Sequence, residues 1–447
     1  MASNPIDSVI FKDQYSTENM RKIFSDEEQI QSWLDTWVAL AQAEAKEGII
    51  PQKAADEIKA KAHYEDFDKD EIRAEIKKTS HPLMPQIKYL TKLVSPEAGK
   101  WIHWGATTQD IIDTGLMIQS KKAQELILKQ SNILLKKLLQ KAEQYKSLVM
   151  AGRTNTQQAV PITLGYKFAV WADQIGREIQ EIKKYIPTGF VGELGGAAGS
   201  LASLNGKGQK VRNEMCHLLN LSSPTITWHV ARDRFATIAS LNVILAGTVG
   251  EIANQIMLSG RNEIDEFSEG FKLGKISSST MPQKRNPMIC DQIMQNVHLA
   301  QNEVSIVYPA MILEDERDVR YYAEENYISE IFLYISAALV KMNTVLDQLQ
   351  INQKQIQKNL NLTHGLIVSD QVMLYLGEKL GRQVAHQVLY EDAQTAISND
   401  QHLLDVLKKD KRVINDINEE TLEILLKPEN YVGECEQMVE KVINKWS

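Results

Sequence analysis

Residues 235–256, FATIASLNVILAGTVGEIANQI, set Phe235, Ile238, Leu241, Leu245, Val249, Ile252 and Ile256 at steps of three and four. That spacing lines the apolar side chains along one stripe of a helix of about six turns. Residues 116–145 and 327–360 carry the same period. Each run exceeds the ~10–14 residues of an average globular helix. No region combines period-two alternation with hairpin signals over several strands. The predicted fold class is therefore all-α, with long helices bundled in the middle of the chain. Stripes of this length favour bundling between copies of the chain as well as within one.

The period breaks near Gly105, across 187–208, around 274–287 and at NLTHG, 361–365. These breaks predict a helical N-terminal domain over 1–113, a central bundle over 114–363 that holds loop 274–287, and a helical C-terminal domain over 364–447. The 447-residue chain exceeds what one simple core organises.

Fifty basic and fifty-eight acidic side chains leave a formal charge of −8, which offers no footprint for nucleic acid. Lys77-Lys78 and Lys136-Lys137 fall inside amphipathic helical patterns and read as solvated faces. Cys216, Cys290 and Cys435 lie far apart in sequence and make no metal-spaced pair, so no metal is expected. The same scarcity suits a reducing compartment. The start, MASNPIDSVIFKDQ, lacks a basic segment followed by an apolar one. No apolar run approaches the ~20 residues of a membrane span. The expectation is a soluble, cytoplasmic protein with no membrane partner. The stretch TGFVGELGGAAGSLASLNGKG, 188–208, fits neither phosphate-binding glycine motif, and its Gly and Ala residues read as permitting close backbone approach or a flexible loop.

Three polar islands interrupt the helices. In HWGATTQDIIDTG, 103–115, Thr107 and Thr108 precede a helical pattern that starts with Ile111, Ile112 and Leu116. That places them near a helix N-terminus, either as a plain cap or as an anion site. In GRTNTQQAVP, 152–161, Arg153, Thr154, Asn155, Gln157 and Gln158 crowd neutral donors together. Such a group suits a carboxylate ligand or a buried structural network. In SSSTMPQKRNP, 277–287, Ser278 and Ser279 sit in a loop with Lys284 and Asn286 nearby. A serine acts as a base only where cations and backbone N–H groups hold its alkoxide. Lys284 could supply that charge or bind a substrate carboxylate.

SSSTMPQKRNP closely resembles the signature loop of the fumarase/aspartase superfamily, G-S-S-x-M-P-x-K-x-N, and the other two islands match that superfamily's other segments in order. HWGATTQDIIDT, LGGAAGSLASL and LGRQVAHQVLYE (380–391) resemble the branch that holds 3-carboxy-cis,cis-muconate cycloisomerase and adenylosuccinate lyase. The resemblance implies a three-region, all-α homotetramer whose core has about twenty helices, roughly five from each subunit. It also implies active sites shared between subunits, a small dicarboxylate substrate and no cofactor. Carried over by position, Ser278 is the base that removes the Cβ proton. Lys284 and Asn286 hold an aci-carboxylate intermediate, Thr107 and Thr108 bind substrate carboxylate oxygens, and Thr154 and Gln157 match the second segment. Met281 shapes a loop that closes over substrate.

Three departures qualify this reading. The leading Gly of the motif is Ser277. Adenylosuccinate lyases carry a general-acid His where this chain has Asn155, which has no proton to give at a useful pKa. His81, in KKTSHPLMPQI, matches another active-site His of those enzymes and is the candidate substitute. LEDERDVRYYAEENY, 313–327, keeps Glu316, Arg317 and Asp318 but shows Tyr321-Tyr322 and Glu324-Glu325 in place of the residues that hold a nucleotide phosphate.

The expected function is therefore β-elimination on a 2-substituted succinate, an N- or S-succinyl compound, with release of fumarate. A thiol with pKa ~8.5 leaves as thiolate with little help, whereas an amine needs a proton donor. The alternatives are 3-carboxy-cis,cis-muconate cycloisomerase, adenylosuccinate lyase, and an inactive structural member of the crystallin type. Retention of Ser278, Lys284 and Asn286 argues against the last.

Overall fold

The computed structural model of the protein describes residues 4–271, 278–318, 320 and 323–447. Helix α1, Asp26–Lys46, starts where Ser25 accepts the Glu28 N–H, with Asp26, Glu27 and Glu28 in its first turn and Lys46 in its last. It buries Trp33, Leu34, Trp37 and Leu40. Helix α2, Met84–Leu93, has Pro85 in its first turn, where the missing N–H costs nothing.

Five further helices carry the middle of the chain. They are α3 (Thr108–Gln144), α4 (Leu164–Gly189), α5 (Asp233–Ser259), α6 (Met288–Asn302) and α7 (Ala323–Gln348). In α5 the apolar stripe read from the sequence is the buried one. Phe235, Ile238, Leu245, Val249, Ile252 and Ile256 are all essentially inaccessible. By composition α5 and α7 are long and apolar enough to cross a membrane, yet 61% and 67% of their most apolar stretches are buried inside the protein.

Two compact units emerge. One comprises Met1–Ser131, Glu178–Val249 and Gln292–Val340, the other Asn132–Arg177, Gly250–Asp291 and Lys341–Ser447. The first has a core in which Trp33, Leu34 and Trp37 pack with Ile58, Leu83, Leu90, Ile111 and Ile112. Each fully buried side chain of this size contributes ~1.5–3 kcal/mol by leaving water. In the second, Leu360, Val368, Val372, Leu389, Leu403 and Leu407 surround Val149 and Ala151.

Among the described residues the protein is all-α apart from two small sheets that the helical period did not announce. Strands β1 (Val149–Thr154) and β2 (Gln157–Thr163) form an antiparallel hairpin in the second polar island. Strands β3 (Phe267–Ser268) and β4 (Gln350–Ile351) pair briefly. The second pair also corrects the continuous helix expected over 327–360. Helix α7 stops at Gln348, β4 intervenes, and Asn352 caps a new helix, α8 (Gln353–Leu360), by accepting the Gln355 N–H.

Candidate active site

Thr107 and Thr108 stand at the N-terminus of the 37-residue α3. The Thr107 N–H is taken by the Asp110 carboxylate (2.8 Å), and the Thr107 hydroxyl accepts a hydrogen bond from Arg317. Asp110 is the third helical residue reaching back to the cap, half of a capping box. The other half is absent, because the Thr107 hydroxyl faces Arg317 rather than a helix N–H. A threonine hydroxyl, a guanidinium and an open helix end form a cradle suited to a carboxylate.

His81 lies just before α2 in the same unit. Its Nδ1 accepts the N–H groups of Leu83 (3.2 Å) and Met84 (3.1 Å). A neutral imidazole with Nδ1 so occupied carries its proton on Nε2. The buried Trp37 indole likewise donates to His103 Nδ1 at 3.1 Å. Burial pushes the His103 imidazole down to about 4, with Asp110 opposing and His81 adding to the shift. His103 is thus neutral at physiological pH, at a left-handed backbone position with φ +62°.

Thr154, Asn155 and Gln157 occupy the exposed tip of the β1–β2 hairpin. Thr154 pairs with Gln157, and the two residues between them, Asn155 and Thr156, have φ of +48° and +70°. Two positive φ values define a type I′ turn, whose twist matches the flanking strands. Below the tip, Arg153 clasps the fully buried Glu266 with both terminal nitrogens, at 2.9 and 2.6 Å. Asn359 adds a third bond to Glu266 at 3.0 Å. Burial holds the nearby Lys167 ammonium below its ordinary value, with Glu266 opposing and Arg153 reinforcing that shift.

The signature loop is described from Ser278 onward, and Ser277 and the rest of 274–277 lie outside the described residues. The Ser278 hydroxyl oxygen accepts the Met281 N–H at 3.0 Å and the Thr280 N–H at 3.4 Å. Both donors point where an alkoxide would carry its charge. Lys284 follows in a turn closed by its N–H to the Met281 carbonyl, and Asn286 accepts the Met288 N–H at the mouth of α6. Glu269 fastens that helix start by accepting from Ile289 and Cys290. A cleft of about 1060 Å³ borders the loop, lined by Met281, Lys284 and Asn286 together with Arg261 and Asn262.

The candidate residues therefore fall into two groups. Thr107, Thr108 and His81 belong to the first compact unit; Thr154, Asn155, Gln157, Ser278, Met281, Lys284 and Asn286 belong to the second. Sequence reasoning passed over Arg317 as a partner of Thr107, although it lies in the E-R-D segment singled out there. It also missed a buried network behind the threonines. Arg232 bridges Asp113 (2.7 and 2.9 Å) and Glu324 (2.9 Å), with its guanidinium against Trp228 and Phe235. Glu324 is therefore spent on Arg232, and of the Glu324-Glu325 pair only Glu325 is left to repel a phosphate. Burial, with Asp113 adding, pushes Glu325 up to about 7, which weakens even that repulsion. Tyr321 and Tyr322 lie outside the described residues.

Comparison with known proteins bears on this arrangement. A family described as lyase matches residues 12–299, and one described as adenylosuccinate lyase C-terminus matches 365–442. The chain is 37% identical to N-acetyl-S-(2-succino)cysteine lyase of Enterococcus italicus, covering 100% of this chain and 98% of that protein. It is 34% identical to 3-carboxy-cis,cis-muconate cycloisomerase of Acinetobacter baylyi, with 98% of each covered. The crystal structure of 3-carboxy-cis,cis-muconate lactonizing enzyme from Pseudomonas putida superposes with a TM-score of 0.91 at 32% identity, covering 98% of this chain and 99% of that one.

Proposed function

The chain belongs to the fumarase/aspartase superfamily of fumarate-releasing lyases, and from that premise we propose that it eliminates a thiolate from an S-succinyl thioether. Asn155 carries the proposal. The exposed tip of the hairpin offers hydroxyls and amides from Thr154 to Gln157 and no group that gives up a proton near neutrality. A reaction run there needs a leaving group that departs as an anion, and a thiol of pKa ~8.5 does so. The full-length similarity to a lyase named for an S-(2-succino)cysteine substrate supports the same reading.

In this mechanism Ser278, its alkoxide held by the Met281 N–H, takes a proton from the carbon next to the one bearing sulfur. The electron pair moves into the adjoining carboxylate, and Lys284 and Asn286 hold the resulting aci-carboxylate. The pair then returns to form the double bond as the carbon–sulfur bond breaks. Sulfur leaves with its electrons as thiolate, and the other product is fumarate. Thr107, Thr108 and Arg317 hold the second carboxylate of the succinyl unit. Closure of the loop around Met281 excludes water.

We place the complete site between copies of the chain in a homotetramer. Bundle helices support this by exposing large apolar side chains, with Ile133, Val170, Ile244 and Val340 each more than 40% exposed. Incubation with matched succinyl thioethers, succinyl amines and carboxymuconate, read by the conjugated absorbance of fumarate or by loss of carboxymuconate, tests the reading. Fumarate from the thioether is expected. Turnover of carboxymuconate alone would assign the cycloisomerase reaction, and turnover of the amines alone would assign C–N lyase chemistry. Inertness toward all three would return the inactive structural reading.

A further inference from the structure

Behind the Thr107–Thr108 cradle, one carboxylate gathers four N–H donors. Asp110 accepts from Thr107 (2.8 Å), Gly195 (2.9 Å), Gly196 (3.0 Å) and the Nε2 of His229 (2.7 Å). Asp110 and His229 are both buried. Because a carboxylate oxygen can only accept, the proton between the two side chains is carried by Nε2 of His229. His229 is itself fixed, since its carbonyl accepts from Gln109 at 2.7 Å and the preceding Trp228 N–H binds Glu193 at 2.8 Å.

The glycine-rich 188–208 stretch supplies the rest of the frame through close approach. A Cβ on Gly196 would stand 3.0 Å from the Gly105 carbonyl, at a φ of +72°, and one on Gly195 would stand 2.9 Å from the His229 ring. Two glycine N–H groups, one imidazole and the Thr107 N–H thus converge on Asp110, and Thr107 is the only one of the four that belongs to the cradle.

The same cluster brings potential metal ligands together. Ligand-type atoms of Asp110, Glu193 and His229 lie within 4.8 Å of one another. The four N–H donors occupy the lone pairs of Asp110, and burial, reinforced by Asp110 and Asp113, pushes Glu193 well above the carboxylate range. A carboxyl whose anion is disfavoured by burial and a fully engaged carboxylate make a poor cation site.

We propose that His229 is a positioning residue that works through Asp110 to set Thr107 and the open end of α3 for a substrate carboxylate. The inference rests on the carboxylate role of Thr107 given above. Removing the Nε2 donor leaves Asp110 short of one bond and lets Thr107 shift. Carboxylate contact is made by substrate and transition state alike, so its loss raises KM and spares kcat.

The experiment compares wild type, His229→Leu, His229→Gln, whose amide nitrogen can stand where Nε2 does, and Asp110→Asn, each checked for its native mass. Steady-state kinetics on the succinyl thioether is paired with calorimetric binding of succinate, which needs no turnover. His229→Leu is expected to raise KM and the succinate Kd about tenfold, the size of one net hydrogen bond, with kcat within about threefold. His229→Gln should recover most of that loss, and His229→Leu combined with Asp110→Asn should cost no more than the worse single variant. Unchanged KM and Kd in His229→Leu, or a fall in kcat alone with a lower melting temperature, would overturn the inference. Weaker succinate binding in an enzyme inert toward thioethers would preserve it while sinking the proposed reaction. Failure of the wild type to bind succinate would overturn it outright.

Discussion

Replacing Arg153 with methionine tests whether the hairpin tip is held in place from below. In the native protein Glu266 is fully buried and takes three N–H bonds, two from Arg153 and one from Asn359. The substitution removes two of the three donors together with the facing guanidinium. Stranding one partner of a buried pair costs ~3–5 kcal/mol. Two features favour the lower figure: Lys167 is within electrostatic reach of Glu266, and the Arg153 side chain is 25% exposed, so water can follow it out. At about 3 kcal/mol, and ~2–4 °C per kcal/mol for a unit of 150–250 residues, the apparent melting temperature should fall by roughly 6–12 °C. The freed hairpin should also lose kcat/KM by ~10–100-fold, because displacement of a positioning group by about an ångström has that effect. Arg153→Met combined with Glu266→Leu removes both charges and should regain at least half of the lost melting temperature, since Asn359 keeps its bond to the Ile264 carbonyl. Calorimetry and initial rates on the three proteins decide the matter. A single variant within about 1 kcal/mol of wild type, or a double variant no better than the single, would refute the reasoning.

Three further outcomes follow from the same geometry. Ser278→Ala should lower kcat by ~10²–10⁴-fold with native mass and melting temperature retained, and near-native turnover would remove Ser278 from the base role. Asn155→His puts an acid on the hairpin tip at a left-handed position that His tolerates, so succinyl-amine turnover should rise relative to succinyl thioether. An unchanged ratio in that competition assay would count against the leaving-group assignment. Glu44 is buried, and among the described residues neither of its carboxyl oxygens has a hydrogen-bond partner; burial pushes it from 4.5 up to about 9. A folded-state pKa raised above the unfolded value gives stability that is complete below about 4.5 and lost as pH rises toward 9. Unfolding free energies from urea titrations between those limits should therefore fall by up to ~1.4 kcal/mol per pH unit in wild type and stay flatter in Glu44→Gln; parallel slopes would sink this account.

The helices were legible because their information is local. Seven apolar positions in 235–256 repeat the period of the element they form, and all but Leu241 are fully buried. The hairpin was not, although its turn is local too. Type I′ turns announce themselves by Asn-Gly or Asp-Gly, and here the second left-handed residue is Thr156. A residue that rarely takes positive φ hides the turn, and the strand before it, VMAGRT, lacks clean alternation. The cradle was legible in part, since Thr107 and Asp110 spell a capping pattern that names its own helix start. What holds Asp110 from behind was not, because Gly195 and His229 lie 85 and 119 residues further along. Pairing at that separation is set by packing between helices, and one sequence carries no trace of it.

The conformation of the hairpin tip bears on the chemistry of the leaving group. The backbone at 155 demands a residue at ease with φ near +48°, and most side chains pay ~1–2 kcal/mol there. Asparagine meets that demand at little cost and carries no proton to give at a useful pKa, whereas a histidine would tolerate the same backbone and supply one. His81 has its Nδ1 engaged by two backbone N–H groups, so the nitrogen it offers to its surroundings is Nε2. With a turn residue where the acid would stand, the proposed reaction has the leaving atom carry its own charge away. Sulfur does that near neutral pH and an alkyl nitrogen does not. The competition between matched succinyl thioethers and amines in the unaltered protein is thus the sharpest test: preference for the amine would mean that a proton reaches the leaving atom by a route other than the hairpin tip.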